Sequence, residues 1–193
     1  IWNWKDVYMD YATTAYWYGR PGASHGLAFV PAYDKRTVDK IWSDGIFRAK
    51  NALEAEDLKN VSVTGGKTET GFMGWYSDRK WSHEKHLFWK EAKPGDKLSF
   101  DLPVEKEGLY QLEAVFTKAR DYAIIQVSVN DKEACVPIDL YAPYVVTPTS
   151  RLSLGEVSLD KGTNKIEIQI MGKNPKAVSG YLVGLDYIRI NRR

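Results

Sequence analysis

From Lys97 to its end the chain alternates apolar and polar residues with a period of two, and this pattern constrains the fold more than any other feature. Leu98, Phe100 and Leu102 share one strand face, Tyr110, Leu112, Ala114 and Phe116 another, and Ile125, Val127 and Val129 a third. The alternation returns in Ile166, Ile168 and Ile170 and in the closing "GYLVGLDYIRI". Between these runs stand "KPGDK", "KEG", "NDK" and "DKGTN", which carry turn chemistry. Half-buried strands at this spacing predict an all-β chain built as an antiparallel β-sandwich. A length of 193 residues allows one such sandwich with something left over.

The surplus lies at the front. "DYATTAYWYG" (Asp10 to Gly19) reads as a strand with large or apolar groups on both faces, and "RPGASHG" directly after it stops any strand. A linker rich in Gly, Pro and small residues leads to "TVDKIWSDG", where Val38, Ile41 and Trp42 share a face and Gly45 closes a short helix. The boundary is placed near Asp44. Residues 1–44 are then a terminal strand of a preceding domain with linker and helix, and residues 45–193 form the sandwich. The first residue is Ile1 rather than Met, and the expectation is that a leader, a preceding domain or both stood before it.

Several classes are disfavoured. The 27 Lys and Arg residues face 25 Asp and Glu for a net charge of +2, and they are scattered, unlike a nucleic-acid footprint. The apolar runs fall far short of the roughly 20 residues of a membrane-spanning helix, and "IWNWKD" lacks the order of a signal peptide. Cys135 is the single cysteine and closes no internal disulfide; in "EACVPIDL" it alternates like a small buried strand residue. No nucleophile elbow, phosphate loop or dinucleotide fingerprint occurs, so the chain carries no specific catalytic motif.

Three constellations hold chemistry. In "NALEAEDL", read as a strand, Glu54 and Glu56 share a face roughly 7 Å apart, and in "GLDYIRI" Asp186 falls on the face of Ile188 and Ile190. A buried carboxylate needs a cation, an Arg or backbone donors. If the first and last strands are neighbours, Glu54, Glu56 and Asp186 make a hard-oxygen cluster suited to a structural calcium; the alternative is that Lys, Arg and water satisfy them singly. The second is "GFMGWYSDRKWSHEKHLFWKEA", which crowds Trp75, Tyr76, Trp81, Phe88 and Trp89 among Asp78, Arg79, His83, Glu84 and His86. Rings beside planar polar groups suit a sugar, whose C–H face stacks while its hydroxyls take hydrogen bonds. Trp75, Tyr76 and Trp81 are the candidates, unless the rings merely cover a sandwich end. "HEKH" has one residue too few between Glu and the second His for a zinc-protease helix. On a strand, His83 and His86 would face opposite sides. The third is the turn in "TKARDYAIIQVSVN", where Arg120 and Asp121 either meet a ligand, with Asp121 as the contact, or only tie down their own backbone.

From Ala52 onward the sequence resembles the galactose-binding-like jelly-roll sandwich of carbohydrate-binding modules of families six and thirty-five. "EAED", "DLPVEKEGLYQLEAVF", "VSLDKGTNKIEIQI" and "GLDYIRI" carry the likeness. It implies that the opening Glu pair and the closing Asp, here Glu54, Glu56 and Asp186, hold calcium. "DYATTAYWYG" with "IDLYAPYVVTPTSRLSLGEVSLDKGTNKIEIQIMGKNPKAVSGYLVGLDYI" is similar to the C-terminal region of glycoside hydrolase family one hundred and seventy-two. Those enzymes act on fructofuranose or arabinofuranose linkages through a jelly-roll catalytic domain. The resemblance implies that the aromatic strand is the last strand of such a domain, and no residue here matches the catalytic glutamates.

The leading expectation is a non-catalytic carbohydrate-binding accessory module of a secreted or periplasmic glycan-processing enzyme. Its rival is an assembly module that packs on the catalytic domain or on sister subunits without touching sugar. A third reading draws an acid and a base from Glu54, Glu56 and Asp186, as paired carboxylates serve in glycosidases.

Overall fold

The structure, a computed structural model, describes residues 46–76 and 79–193. The expected strand at Asp10 to Gly19, the linker, the helix over residues 37–45 and Asp78 lie outside the described residues.

Thirteen strands form in the described part: β1 (Leu53–Glu54), β2 (Lys59–Val63), β3 (Lys67–Phe72), β4 (Lys85–Lys90), β5 (Lys97–Val104), β6 (Gly108–Lys118), β7 (Ala123–Val129), β8 (Lys132–Glu133), β9 (Ile138–Asp139), β10 (Thr147–Pro148), β11 (Leu152–Leu159), β12 (Gly162–Lys173) and β13 (Val183–Arg192). They make two antiparallel sheets. One runs β10-β6-β13-β4-β3, with β1 paired to β13 and β11 to β6; the other runs β2-β5-β12-β7-β8, with β9 paired to β7. This is the two-sheet sandwich that the alternation predicts.

Core and surface follow the period of two. Leu98, Phe100 and Leu102 of β5, Leu112, Ala114 and Phe116 of β6, Ile125, Val127 and Val129 of β7 and Ile166, Ile168 and Ile170 of β12 meet between the sheets, all buried. Trp89 of β4 joins them, and its indole N–H donates to the Gly65 carbonyl at 2.9 Å, so the ring is buried without an orphaned donor. Cys135 departs from expectation: it lies half-buried in a bend between β8 and β9 rather than in a strand, and burial pushes its thiol up, away from the reactive thiolate.

On β4, His86 and Phe88 alternate with Leu87 and Trp89 and take the outer face of their sheet. His86 pairs with Gly71 on β3, and Gly184 on β13 pairs with Phe88. A Cβ at Gly71 would stand 2.5 Å from His86 Nε2, and one at Gly184 would stand 2.5 Å from Nδ1. The two glycines therefore leave the space in which the imidazole lies. Phe88 stacks on it, ring centroids 5.3 Å apart and planes 17° from parallel.

Candidate functional site

A hollow of about 370 Å³ opens over this outer face, with His86 and Phe88 in its floor. Tyr122 extends the floor, stacked on Phe88 at 6.4 Å. Trp75 and Tyr76, from the segment after β3, and Asp121, from the turn between β6 and β7, complete the rim. Trp75 is 74% exposed and holds its ring edge-on to Phe72, centroids 5.5 Å apart. The β6–β7 turn is braced by the chain before β13: Leu182 N–H donates to the Asp121 carbonyl at 3.2 Å and Val178 N–H to that of Arg120 at 2.9 Å. Gly180 is needed for this approach, because its φ is +144° and a Cβ there would stand 2.8 Å from the Asp121 carbonyl oxygen. An exposed indole, a phenol and a carboxylate around a stacked floor suit a ligand with an apolar ring face and peripheral hydroxyls.

Of the four residues expected at such a site, the structure brings Trp75, Tyr76 and Asp121 to one hollow and withdraws Trp81. Only 1% of Trp81 is exposed, so it offers no stacking face. Its indole N–H donates to Thr117 Oγ1 at 2.9 Å, and the same hydroxyl lies 2.8 Å from His86 Nδ1. A hydroxyl that accepts from the indole keeps its own proton for the imidazole, an arrangement suited to a neutral His86. Burial agrees, lowering the His86 pKa to about 4. Trp81 lies against Tyr76, centroids 5.6 Å apart, and so supports the rim from below.

A second cluster lies where β1 meets β13, with Leu53 opposite Ile188 and Glu54 opposite Tyr187. The first and last strands are neighbours, but the local geometry of the Glu pair departs from expectation. Ala55–Asp57 forms a short 3-10 turn, so Glu54 and Glu56 are brought together by a turn rather than along a strand face. A register shift relative to β6 between Leu185 and Tyr187 marks a bulge at Asp186. Leu185 and Ile188 both reach the core across that bulge.

Asp186 is fully buried. Its Oδ1 accepts the Ser82 main-chain N–H at 3.0 Å, while the Ser82 hydroxyl donates to Glu54 Oε1 at 2.8 Å and accepts from Ala49 N–H at 2.9 Å. Four further buried oxygens have no hydrogen-bond partner: Glu54 Oε2, Asp186 Oδ2 and both oxygens of Glu56. Burial, reinforced by the Glu54 and Glu56 charges, pushes the Asp186 carboxyl up to about 8, and burial also raises Glu54. Each of the three carboxylates thus keeps at least one buried oxygen without a hydrogen-bond partner, which is the chemistry that a hard cation with oxygen ligands would satisfy.

His83 was not expected in this group. Its Nδ1 stands 3.6 Å from Glu56 Oε1, and Glu54, Glu56 and His83 each offer a ligand atom within 4.8 Å of the others, so the three form a group able to hold a metal. "HEKH" was a visible signal, but what places His83 here is a turn conformation with φ +52°, not a helix or a strand. His86, the other histidine of that motif, is on the outer sheet face with Thr117.

No protein-family model and no curated protein sequence matches the chain. Among solved structures, a Paenibacillus xanthan lyase aligns over 76% of this chain and 14% of its own length, with 20% identity and a TM-score of 0.64. The chain therefore spans about one seventh of that lyase, and the likeness is one of fold. A family 35 carbohydrate-binding module from Paenibacillus barcinonensis aligns over 74% of this chain and 98% of its own, at 14% identity and a TM-score of 0.48. One from Clostridium thermocellum aligns over 74% and 97%, at 16% identity and 0.46. Among the described residues no helix is long and apolar enough to cross a membrane.

Proposed function

We propose that this chain is a carbohydrate-binding accessory module that contacts sugar in the hollow lined by Trp75, Tyr76 and Asp121. The observation that carries the reading is Trp75, a large ring left 74% exposed at the rim of a hollow floored by stacked aromatics. Folding gains little from leaving an indole in water, whereas a sugar ring stacked on it loses apolar hydration on both partners. Likeness in fold to part of a xanthan lyase, a protein named for a polysaccharide, accords with this reading.

On this reading the module belongs to a secreted or periplasmic glycan-processing enzyme, does no chemistry itself and raises the local concentration of a catalytic domain on its polymer. The similarity to the C-terminal region of glycoside hydrolase family one hundred and seventy-two makes fructofuranose- or arabinofuranose-containing polymers a further candidate class. Glu54, Glu56 and Asp186 would hold a structural calcium with Ser82 orienting two of them, and the ion would fix the start of β1 to β13 near the segment that carries Trp75. Electrophoresis through gels containing xanthan, β-1,4-mannan, β-1,3-galactan, arabinan or levan tests the reading. Retardation in at least one gel supports it, and free migration in all of them opposes it.

A further inference from the structure

We propose that the Trp75 hollow is one of two adjoining subsites, and that the chain takes a run of at least two linked sugar residues across the β6–β7 turn. The inference deepens the carbohydrate reading and rests on it. A second hollow, of about 460 Å³, lies on the other side of that turn, lined by Arg120, Pro143, Tyr144 and Val145. Ala119, Asp121 and Val146 line both hollows, so the two meet at the turn itself.

Tyr144 matches Trp75 in kind. It is 94% exposed, more than any other large apolar or aromatic side chain among the described residues. The segment that carries it is anchored at one end to Ala119, the residue after β6, and at the other to β6 itself. On one side Ala142 N–H donates to the Ala119 carbonyl at 3.0 Å; on the other, β10 pairs with Thr117 and Lys118, and Thr149 N–H donates to the Phe116 carbonyl at 2.7 Å. Such an arch has already given up most of its backbone freedom, and a tyrosine has few side-chain torsions left to lose, so stacking a sugar on it costs little entropy. Arg120 supplies hydrogen-bond donors and Asp121 acceptors between the two rings, the complement that successive sugar hydroxyls require. One sugar residue fills one hollow; a ligand that uses both aromatic rims must be a chain that continues over Asp121.

The test uses the full 193-residue chain, in gels of whichever polymer retards it, with the corresponding monosaccharide and tetrasaccharide as soluble competitors. The tetrasaccharide should compete roughly tenfold or more better than the monosaccharide, and Tyr144→Ala should weaken polymer and tetrasaccharide binding by about five- to tenfold while leaving monosaccharide competition unchanged. Because Tyr144 stands almost wholly in solvent, its melting temperature should match the unsubstituted chain. Equal competition by monosaccharide and tetrasaccharide, or retardation untouched by Tyr144→Ala, would overturn the two-subsite proposal and leave the single hollow standing. Failure of every polymer to retard the chain would remove the carbohydrate reading and this proposal with it.

Discussion

The main-chain N–H of Ser82 donates to Oδ1 of Asp186 at 3.0 Å, across 104 positions of sequence. Through that bond the segment after β3, which carries the exposed Trp75, is tied to the carboxylate cluster on the closing strand. Glu54 is drawn in by the Ser82 hydroxyl. On the proposed reading, a cation held at Glu54, Glu56 and Asp186 would act on both carboxylates that Ser82 contacts.

Chelation should destabilise the protein more at pH 8 than at pH 5. Without a cation, burial raises Asp186 from its ordinary value of 3.8 to about 8 and raises Glu54 as well. The folded state then binds more protons than the unfolded state between those values, so stability is greatest at the acid end and falls as pH rises towards 8. A bound divalent cation replaces those protons and cancels the loss. Melting curves with a chelator and with added calcium should therefore diverge with increasing pH; curves that coincide at pH 8 would leave the cluster without an ion.

Trp81→Ala should lower stability by about 3–5 kcal/mol, the range for emptying a buried aromatic site, because Trp81 is buried and anchors Thr117. Trp75→Ala should leave the denaturation midpoint nearly unchanged. Urea titration of the two variants checks the contrast, and equal effects would mean that Trp75 is a structural residue.

Gly184→Ala should destabilise by about 1–3 kcal/mol, as overpacking does, since its Cβ would meet His86 Nδ1 at 2.5 Å and Thr117 Cβ at 2.9 Å. The backbone itself is not at issue, for only space is lacking. Thermal melting reads the loss, and a variant as stable as the parent would mean that the imidazole has room to move aside.

His86 should remain neutral until about pH 4, because burial opposes its charged form. An unfolded histidine binds its proton near 6.5, so this residue withdraws stability as pH falls from about 6.5 to 4, the reverse of the cation-free Asp186. Following the His86 ring by NMR titration checks the value, and a midpoint near 6.5 would mean that the ring is reached by solvent.

How much of this was legible in sequence depended on whether the period of two held. Where it did, as in Leu98 to Leu102 and Ile166 to Ile170, the core face followed directly. At Asp186 a bulge inserts one residue while the letters around it go on alternating, so the register there was not legible locally. Glu54 and Glu56 were recognisable as a pair, but their 3-10 turn was not. Trp75 and Trp81 look alike in the sequence. What separates them is Thr117, a buried acceptor 36 positions from Trp81 that only the assembled sheet supplies.

The most direct test of the account is the indole N–H spectrum during titration with a tetrasaccharide of the retarding polymer. The chain has seven tryptophans, and Trp75→Phe assigns the signal that matters. Stacking one or two rings with solvent-exposed hydrogen bonds should give about 4–6 kcal/mol, a dissociation constant of roughly millimolar to tens of micromolar. The Trp75 resonance should shift and saturate in that range while those of the buried Trp81 and Trp89 stay in place. A Trp75 signal that does not move as the sugar saturates another site, or as no site saturates at all, would contradict the account.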